Sequence, residues 1–504
     1  MSKRIWIGIG LALLAPAALA ATPVFADEIQ YDSASIAPSI TLIHQIQGSG
    51  PAITGPGPFT VEAIVIGAYQ SQGGGQLRGF FIQEEDTDAD ADPATSEGLF
   101  VFCDTCPVTV NVGDKVRVTG NASEFFNMSQ LIATTSASVT VLSSGNPLPT
   151  LATIQLPVPG VPTGDLDAAR AAINAYFEQF EGMLVTFPAT LTVAEYFELT
   201  RYGKVLLSGG GRPRQFTDQS PPDASGFIDH QIDFARRTII LDDDNNVQND
   251  AITGADKSYF WPRPGLSTTN YLRGGDAITG LTGVLHWSFA GQSGTDAWRI
   301  RPVEPAFSYA FTSANPRPAA PEVKGSPKIA SFNVLNYFLT IDETTSSSSG
   351  PCGASQTLDC RGADSGRELA RQREKLTQAL LGLDADMVGL IELENTPGVE
   401  PLAAIADDLN SAGPDTYGYI DTGVVGSDAI KVGIIYKTGR VNPFGDFAVL
   451  DSSAFVNPFN AELDRNRPAV AQTFEDNGSG TRFTVVVNHL KSKGSGCGAG
   501  DDDL

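Results

Sequence analysis

The stretch Ala385-Asp386-Met387-Val388-Gly389-Leu390-Ile391-Glu392-Leu393-Glu394-Asn395 decides the architecture of the last third of this 504-residue chain. Met387 to Leu393 reads as a buried strand, with polar residues gathered where its apolar run ends. The same signal recurs on both sides. Ile329 to Val334 is a strand, and Arg367 to Leu383 predicts a helix with Leu369, Leu376, Leu380 and Leu383 on one face. Further strands are expected at Ala429 to Tyr436, Ala469 to Phe474 and Phe483 to His489. This alternation predicts an α/β region over residues 328–504, a sandwich of sheets flanked by helices.

Upstream the rhythm differs. From Phe59 to Val141, short apolar runs (Ile64-Val65-Ile66, Phe80-Phe81-Ile82, Leu99-Phe100-Val101-Phe102, Val116-Arg117-Val118) alternate with turns such as Val112-Gly113-Asp114. About five strands of this kind fit a small closed barrel of oligonucleotide/oligosaccharide-binding type over residues 27–145. A second β-rich, barrel-like region is expected over residues 146–311, from Gly182-Met183-Leu184-Val185, Thr238-Ile239-Ile240-Leu241 and Trp298-Arg299-Ile300-Arg301. Residues 312–327 carry Pro316, Pro318, Pro321, Gly325 and Pro327 and read as a linker. The fold class is thus multidomain: all-β barrels followed by an α/β sandwich.

Residues 1–26 read as a secretory signal peptide: Lys3 and Arg4, then the apolar run Ile5 to Leu14, then the small-residue sites at Ala20 and Ala26. That run is shorter than the roughly 20 residues of a spanning helix. The expected location is therefore extracellular, with the periplasm as alternative, and no membrane span is expected after processing. Five cysteines in an exported chain suggest disulfides. They fall as Cys103 and Cys106 in front, and Cys352, Cys360 and Cys497 behind. Cys103-x-x-Cys106 reads as a local bridge or two thiols, with half a zinc site as the weaker alternative. The formal net charge of −25 excludes general electrostatic attraction to nucleic acid, so a polyanion would need bound cations or a local basic groove.

Polar residues close several of the apolar strands: Asn333 in Phe332-Asn333-Val334, Glu392 in Ile391-Glu392-Leu393, and His489 in Asn488-His489-Leu490. Strand ends are where an open α/β sheet presents side chains to a ligand. A carboxylate there can hold Mg²⁺ or Ca²⁺, an Asn can orient it, and a His can hydrogen-bond or protonate a phosphate oxygen. Taken singly, each has an ordinary explanation: a solvated Glu, a turn Asn, a structural His. A separate acidic run, Asp86-x-Asp88-x-Asp90-x-Asp92 with Glu97 at the twelfth position, matches part of a calcium-binding EF-hand loop. Ala91 replaces the usual glycine and the flanks read as strands, so a solvated loop is the competing reading.

Taken together and in order, these segments resemble the endonuclease/exonuclease/phosphatase superfamily, and within it large extracellular bacterial nucleases with preceding barrels. The carrying residues include Ser331 to Phe338, Cys360-Arg361-Gly362-Ala363-Asp364, Arg371 to Leu376, Glu392 to Asn395, Ser427 to Gly433, Asn466-Arg467-Pro468 and Asn488 to Lys493. Less specific matches reach forward through Arg78 to Glu84, Glu124 to Leu131, Arg201-Tyr202-Gly203 and Leu241-Asp242-Asp243. The resemblance implies a four-layer, DNase-like sandwich. It makes Glu392 a ligand of Mg²⁺ or Mn²⁺, has Asn333 position metal and phosphate, and makes His489 a catalytic histidine. Arg467 becomes a phosphate contact and Asp428 a supporting residue. The implied reaction is hydrolysis of phosphodiesters, chiefly of DNA with RNA as alternative.

The family pattern continues to a Gly-Asp-Phe-Asn element and a closing Asp-His pair, and neither occurs before Leu504. The expectation is an incomplete catalytic domain of reduced activity, with Cys497 lacking its partner. Two rivals accompany this reading: another phosphoester hydrolase of the same superfamily, such as a phospholipase-like enzyme, and a non-catalytic secreted polymer-binding protein. No protein partner is inferable.

Overall fold

The structure is a computed structural model that describes residues 39–490, apart from 74, 245, 247–270, 289–295, 304–305, 320, 342–347, 452–455, 458–459 and 465. The signal segment, Lys491-Ser492-Lys493 and Cys497 lie outside the described residues. The chain divides into two units. The first comprises Met1–Pro159, Ala171–Gly211 and Arg237–Thr312; the second comprises Gly160–Arg170, Arg212–Arg236 and Ser313–Leu504.

In the first unit, six strands run in chain order: β1 (Phe59–Tyr69), β2 (Gly79–Gln83), β3 (Gly98–Phe102), β4 (Lys115–Glu124), β5 (Ser129–Ile132) and β6 (Val139–Ser143). They pair as β1-β2-β3-β5-β4-β6, and β1 also pairs with β4, so five strands close into a ring and β6 hangs on β4. Alternate residues of β1 and β4 fill the interior: Val61, Ala63 and Val65 meet Val116 and Val118. The short helix Ile43–Gln47 sends Ile43 and Ile46 into the same core. Cys103 and Cys106 form a disulfide just after β3, so neither sulfur is a free thiolate for zinc.

The unit also contains an eight-stranded sheet of order β12-β9-β10-β11-β14-β13-β8-β7. Its strands are β7 (Ala152–Thr153), β8 (Leu184–Phe187), β9 (Leu191–Glu195), β10 (Val205–Gly209), β11 (Thr238–Leu241), β12 (Ala277–Ile278), β13 (Leu281–Ser288) and β14 (Ala297–Pro302). The helices Leu166–Glu178 and Ala224–Arg237 interrupt these strands in sequence, where the apolar rhythm pointed only to strands. No helix among the described residues is long and apolar enough to cross a membrane.

The second unit holds β15 (Ile329–Tyr337), β16 (Met387–Glu394), β17 (Tyr417–Tyr419), β18 (Ile430–Lys437), β19 (Val441–Pro443), β20 (Ala448–Leu450), β21 (Val456–Asn457), β22 (Asn460–Asp464), β23 (Ala469–Asp476) and β24 (Arg482–Val487). One sheet is ordered β15-β16-β18-β17, and a second is ordered β19-β23-β20 with β24 on β23. The parallel pair β15–β16 is joined by the helix Gly366–Leu383, as a parallel crossover requires. Ser365 caps that helix, its side chain accepting from the Glu368 amide. A second helix, Pro401–Ala412, starts on a proline and buries Leu402, Ile405, Ala406 and Leu409.

Leu376 and Leu380 of the first helix and Leu402, Ile405 and Leu409 of the second pack on one face of the β15–β18 sheet with Val388, Leu390 and Ile435. Its other face packs Met387, Val432 and Ile434 against Val470, Phe474 and Val487 of the second sheet. Three layers result: helices, sheet, sheet. The fourth expected layer does not appear among the described residues, where Val449, Leu450 and Val486 of the second sheet are exposed.

Candidate functional site

The polar cluster lies at one end of the two facing sheets in the second unit. β15 and β16 are in register from Ile329↔Met387 to Asn333↔Ile391 and then slip. β16 and β18 slip at the same level, between Ile391 and Leu393. Glu392 is the residue at this bulge, with φ at 72°. Leu335 and Asn336 on the neighbouring strand also have positive φ, at 55° and 53°. Left-handed backbone in residues other than glycine costs roughly 1 kcal/mol or more each, and bulges turn side chains out of the sheet's alternation. Here the bulge turns Glu392 toward Asn333. Gln372, on the helix Gly366–Leu383, secures the irregular strand by donating to the Leu335 carbonyl at 3.1 Å.

The carboxylate is held on both oxygens. Asn333 Nδ2 donates to Glu392 Oε1 at 2.8 Å, and the Asn336 amide donates to Oε2 at 3.2 Å. Asn333 Oδ1 accepts from the Leu335 amide at 2.8 Å, which fixes the orientation of its side-chain amide. His489, two residues beyond β24, sets Nε2 at 3.7 Å from Glu392 Oε1. Arg467 Nη1 lies 3.4 Å from His489 Nδ1. Arginine has only donors, so Nδ1 accepts and the neutral ring carries its proton on Nε2, facing Glu392. Burial lowers the His489 pKa, and the Arg467 charge lowers it further against the opposing pull of Glu392 and Asp428.

Arg467 is anchored in turn by Asp428, whose Oδ2 accepts from its Nε at 2.7 Å. Arg361 donates to Asp428 Oδ1 at 3.1 Å. Burial opposes ionisation of Asp428, yet the Arg467 hydrogen bond and the two arginine charges lower its pKa overall. Asn395 is 1% exposed and pins the loop that presents Asp428, donating to the Val425 and Asp428 carbonyls and accepting from the Val425 amide. Glu394, two residues from Glu392, is fully buried and accepts from the Leu339 and Thr340 amides and the Thr340 hydroxyl. Glu394 is therefore consumed by its own chain, whereas Glu392 faces the cluster. Cys352 and Cys360 form a disulfide in the same unit.

Asn333, Glu392, His489, Arg467 and Asp428 are thus brought into one linked set. Arg361, Asn395 and Gln372 had no assigned role in the sequence; their contacts span 30 residues or more and leave no local signal. The acidic run behaves differently. Asp86 accepts from the Thr150 amide at 2.8 Å, Asp90 accepts from the Thr95 hydroxyl at 3.0 Å, and Glu97 turns to His44 at 3.1 Å. Asp92 caps the Ala94 amide at 3.0 Å. No three carboxylates of Asp86, Asp88, Asp90, Asp92 and Glu97 offer oxygens within 4.8 Å of one another.

No protein-family model matches this chain, and no curated protein does. Solved structures show partial likeness. The human Nocturnin catalytic domain with bound sulfate anion is 21% identical over 24% of this chain and 43% of that one, with a TM-score of 0.17. An endonuclease/exonuclease/phosphatase family protein from Bacteroides thetaiotaomicron is 16% identical over 26% of this chain and 48% of that one, with a TM-score of 0.18. A functionally unknown conserved protein from Enterococcus faecalis is 15% identical over 25% of this chain and 47% of that one, also at 0.18. The likeness spans less than half the length of each of these proteins.

Proposed function

We propose that the second unit carries a divalent-metal-dependent phosphodiester hydrolysis site, with DNA as the substrate and RNA as the alternative. The observation that carries this reading is the Asn333–Glu392–His489–Arg467 chain of contacts. The donor set suits a hard cation: the Glu392 carboxylate, turned out of the sheet by its bulge, is the sparse protein contribution that Mg²⁺ accepts while keeping most of its water, and Asn333, with Nδ2 on that carboxylate and Oδ1 on the Leu335 amide, orients it. Glu392 would hold the ion with Asn333 beside it, and when bound it would supply charge stabilisation on the phosphate and activation of water.

The chain's own groups would do the rest. Asn333 holds the Glu392 carboxylate in one rotamer. Arg467 attracts a phosphate oxygen and, through Nδ1, keeps His489 in the tautomer whose Nε2–H can donate to that oxygen. Asp428 keeps Arg467 in place. The closed five-stranded ring of the first unit, read as an oligonucleotide-binding type barrel, would engage the polymer, and the signal-like residues 1–26 would direct export.

The test is cleavage of supercoiled plasmid by the purified full chain with Mg²⁺ or Mn²⁺. Metal-dependent nicking that is lost in Glu392→Gln and strongly reduced in His489→Ala supports the reading. Nicking that survives Glu392→Gln, or no nicking by the unaltered chain, counts against it. Turnover of phospholipid vesicles in place of plasmid would move the substrate to lipid.

A further inference from the structure

A second cluster lies in the first unit, where nothing in the proposed hydrolysis places a role. Glu84 follows β2 directly and Glu97 directly precedes β3; the Glu84 amide donates to the Glu97 carbonyl at 3.0 Å, so the two residues face each other across the hairpin. His44, on the short helix Ile43–Gln47, places Nδ1 2.8 Å from Glu84 Oε2 and 3.1 Å from Glu97 Oε2. The other oxygen of each carboxylate is already held by backbone. Glu84 Oε1 accepts from the Ile43 amide, and Glu97 Oε1 accepts from the Asp90 amide at 2.9 Å. Each carboxylate therefore has one oxygen pinned and one turned to a common point.

The charges at that point do not balance. Glu84 is 2% exposed and Glu97 8%, and among the described residues the ion pairs of both run to His44. Glu85, the residue after Glu84, is engaged by Lys115 instead. One imidazole nitrogen faces two carboxylates and supplies at most one proton and one charge, while Asp90 Oδ2, 3.9 Å from His44 Nε2, adds a further negative group. Two buried carboxylates lacking a full countercharge are costly.

We propose that His44, Glu84 and Glu97 form a structural binding site for a divalent transition metal, with Zn²⁺ the best match. A divalent ion neutralises both carboxylates and takes the neutral imidazole as its third ligand. The nitrogen donor selects against Ca²⁺ and Mg²⁺, which prefer oxygen throughout, and one nitrogen with two carboxylate oxygens is within the ligand range of Zn²⁺. Ligand atoms about 2.0–2.1 Å from a tetrahedral ion stand about 3.3–3.5 Å apart. A spread of roughly half an ångström from the present contacts admits the ion, and water completes the shell. Asp90, behind the imidazole, takes the position of the carboxylate that commonly orients a metal-bound histidine. The bound ion would close the segment between β2 and β3 and fasten the helix Ile43–Gln47 to the ring. Glu97 then serves this site rather than an EF-hand loop.

The test is calorimetric titration of ZnCl₂ into the full chain after removal of metals with a chelator, on wild type, His44→Ala, Glu97→Gln and Glu392→Gln. The expected result is a Zn²⁺ site weakened at least roughly 100-fold in His44→Ala and Glu97→Gln but retained in Glu392→Gln. The retained binding in Glu392→Gln separates this site from the proposed hydrolysis site. Zn²⁺ in hundredfold excess over its Kd should also raise the melting temperature of wild type by about 5 °C, and leave Glu97→Gln unmoved. Glu97→Gln preserves the side-chain shape and decides the matter if His44→Ala does not fold. Zn²⁺ binding unchanged by Glu97→Gln, binding lost only in Glu392→Gln, or a preference for Ca²⁺ over Zn²⁺ at these residues would overturn the proposal.

Discussion

Gly389 on β16 faces Val487 on β24 across the two sheets of the second unit, and alanine there should disturb both the fold and the cluster. A Cβ on Gly389 would stand 2.8 Å from Val487 Cγ2 and 3.4 Å from Val487 Cγ1. Carbon atoms rest about 3.5–4.0 Å apart, so Val487 must withdraw by roughly 1 Å. Val487 is the last residue of β24 and is buried between the sheets, with little room to give. Overpacking of this kind costs about 1–3 kcal/mol, and we expect about 2 for Gly389→Ala. Because His489 follows Val487 by two residues, the 3.7 Å approach of His489 to Glu392 should lengthen as well. The assay is urea unfolding followed by far-ultraviolet circular dichroism on Gly389→Ala, Val487→Ala and the double variant. Removing the valine methyls should relieve the clash, giving a favourable coupling of about 1 kcal/mol or more. A Gly389→Ala variant within about 0.5 kcal/mol of wild type, with no coupling to Val487, would refute the packing argument.

Other expected outcomes follow from the same unit. Glu392 sits at φ 72°, so Glu392→Gly should unfold at higher urea than Glu392→Ala by an amount equivalent to about 1 kcal/mol, although both lose the carboxylate. Asp428→Asn should cost about 1–2 kcal/mol by weakening the charge-assisted bonds to Arg467 and Arg361, and should raise the KM for plasmid more than it lowers kcat. Asp384 pairs with Lys437 and Lys328, whose hydrogen bonds and charges bring its pKa down to about 2. A depressed folded value means the stabilisation is present above the unfolded pKa and lost as pH falls toward the folded one. Asp384 itself is exposed, so Asp384→Asn should cost only about 0.5 kcal/mol at about pH 6, and the difference from wild type in urea midpoint should shrink by about pH 3. Asn also tolerates the left-handed backbone of that position, so charge is the variable being tested.

The α/β part of the chain was readable wherever apolar periodicity coincided with the final layers. The buried run at Met387 and the amphipathic helix ending at Leu383 both appear within a residue of their expected ends. The helix Pro401–Ala412 adds to the expected elements, although a starting proline and apolar residues at 402, 405, 406 and 409 mark it locally. What could not be read were the bulges. Glu392 faces Asn333 because two strand registers slip at one level, and register is a property of paired strands, not of either strand alone. The Asp428–Arg467–His489 chain is invisible for a similar reason, since its members lie 39 and 22 residues apart. His44, Glu84 and Glu97 show the same limit from the other side. Local spacing placed Glu97 either at the twelfth position of a partial calcium loop or in a solvated acidic loop, while the partner that claims it lies 53 residues upstream.

The most direct measurement is an electron paramagnetic resonance titration of Mn²⁺ into the full chain carrying Glu97→Gln, which silences the first unit's cluster, with and without Glu392→Gln. One Mn²⁺ site that disappears with Glu392→Gln is the expected result. Mn²⁺ binding of equal strength in both proteins, or none in either, would contradict the assignment of Glu392 as the metal ligand of a phosphodiester-cleaving site.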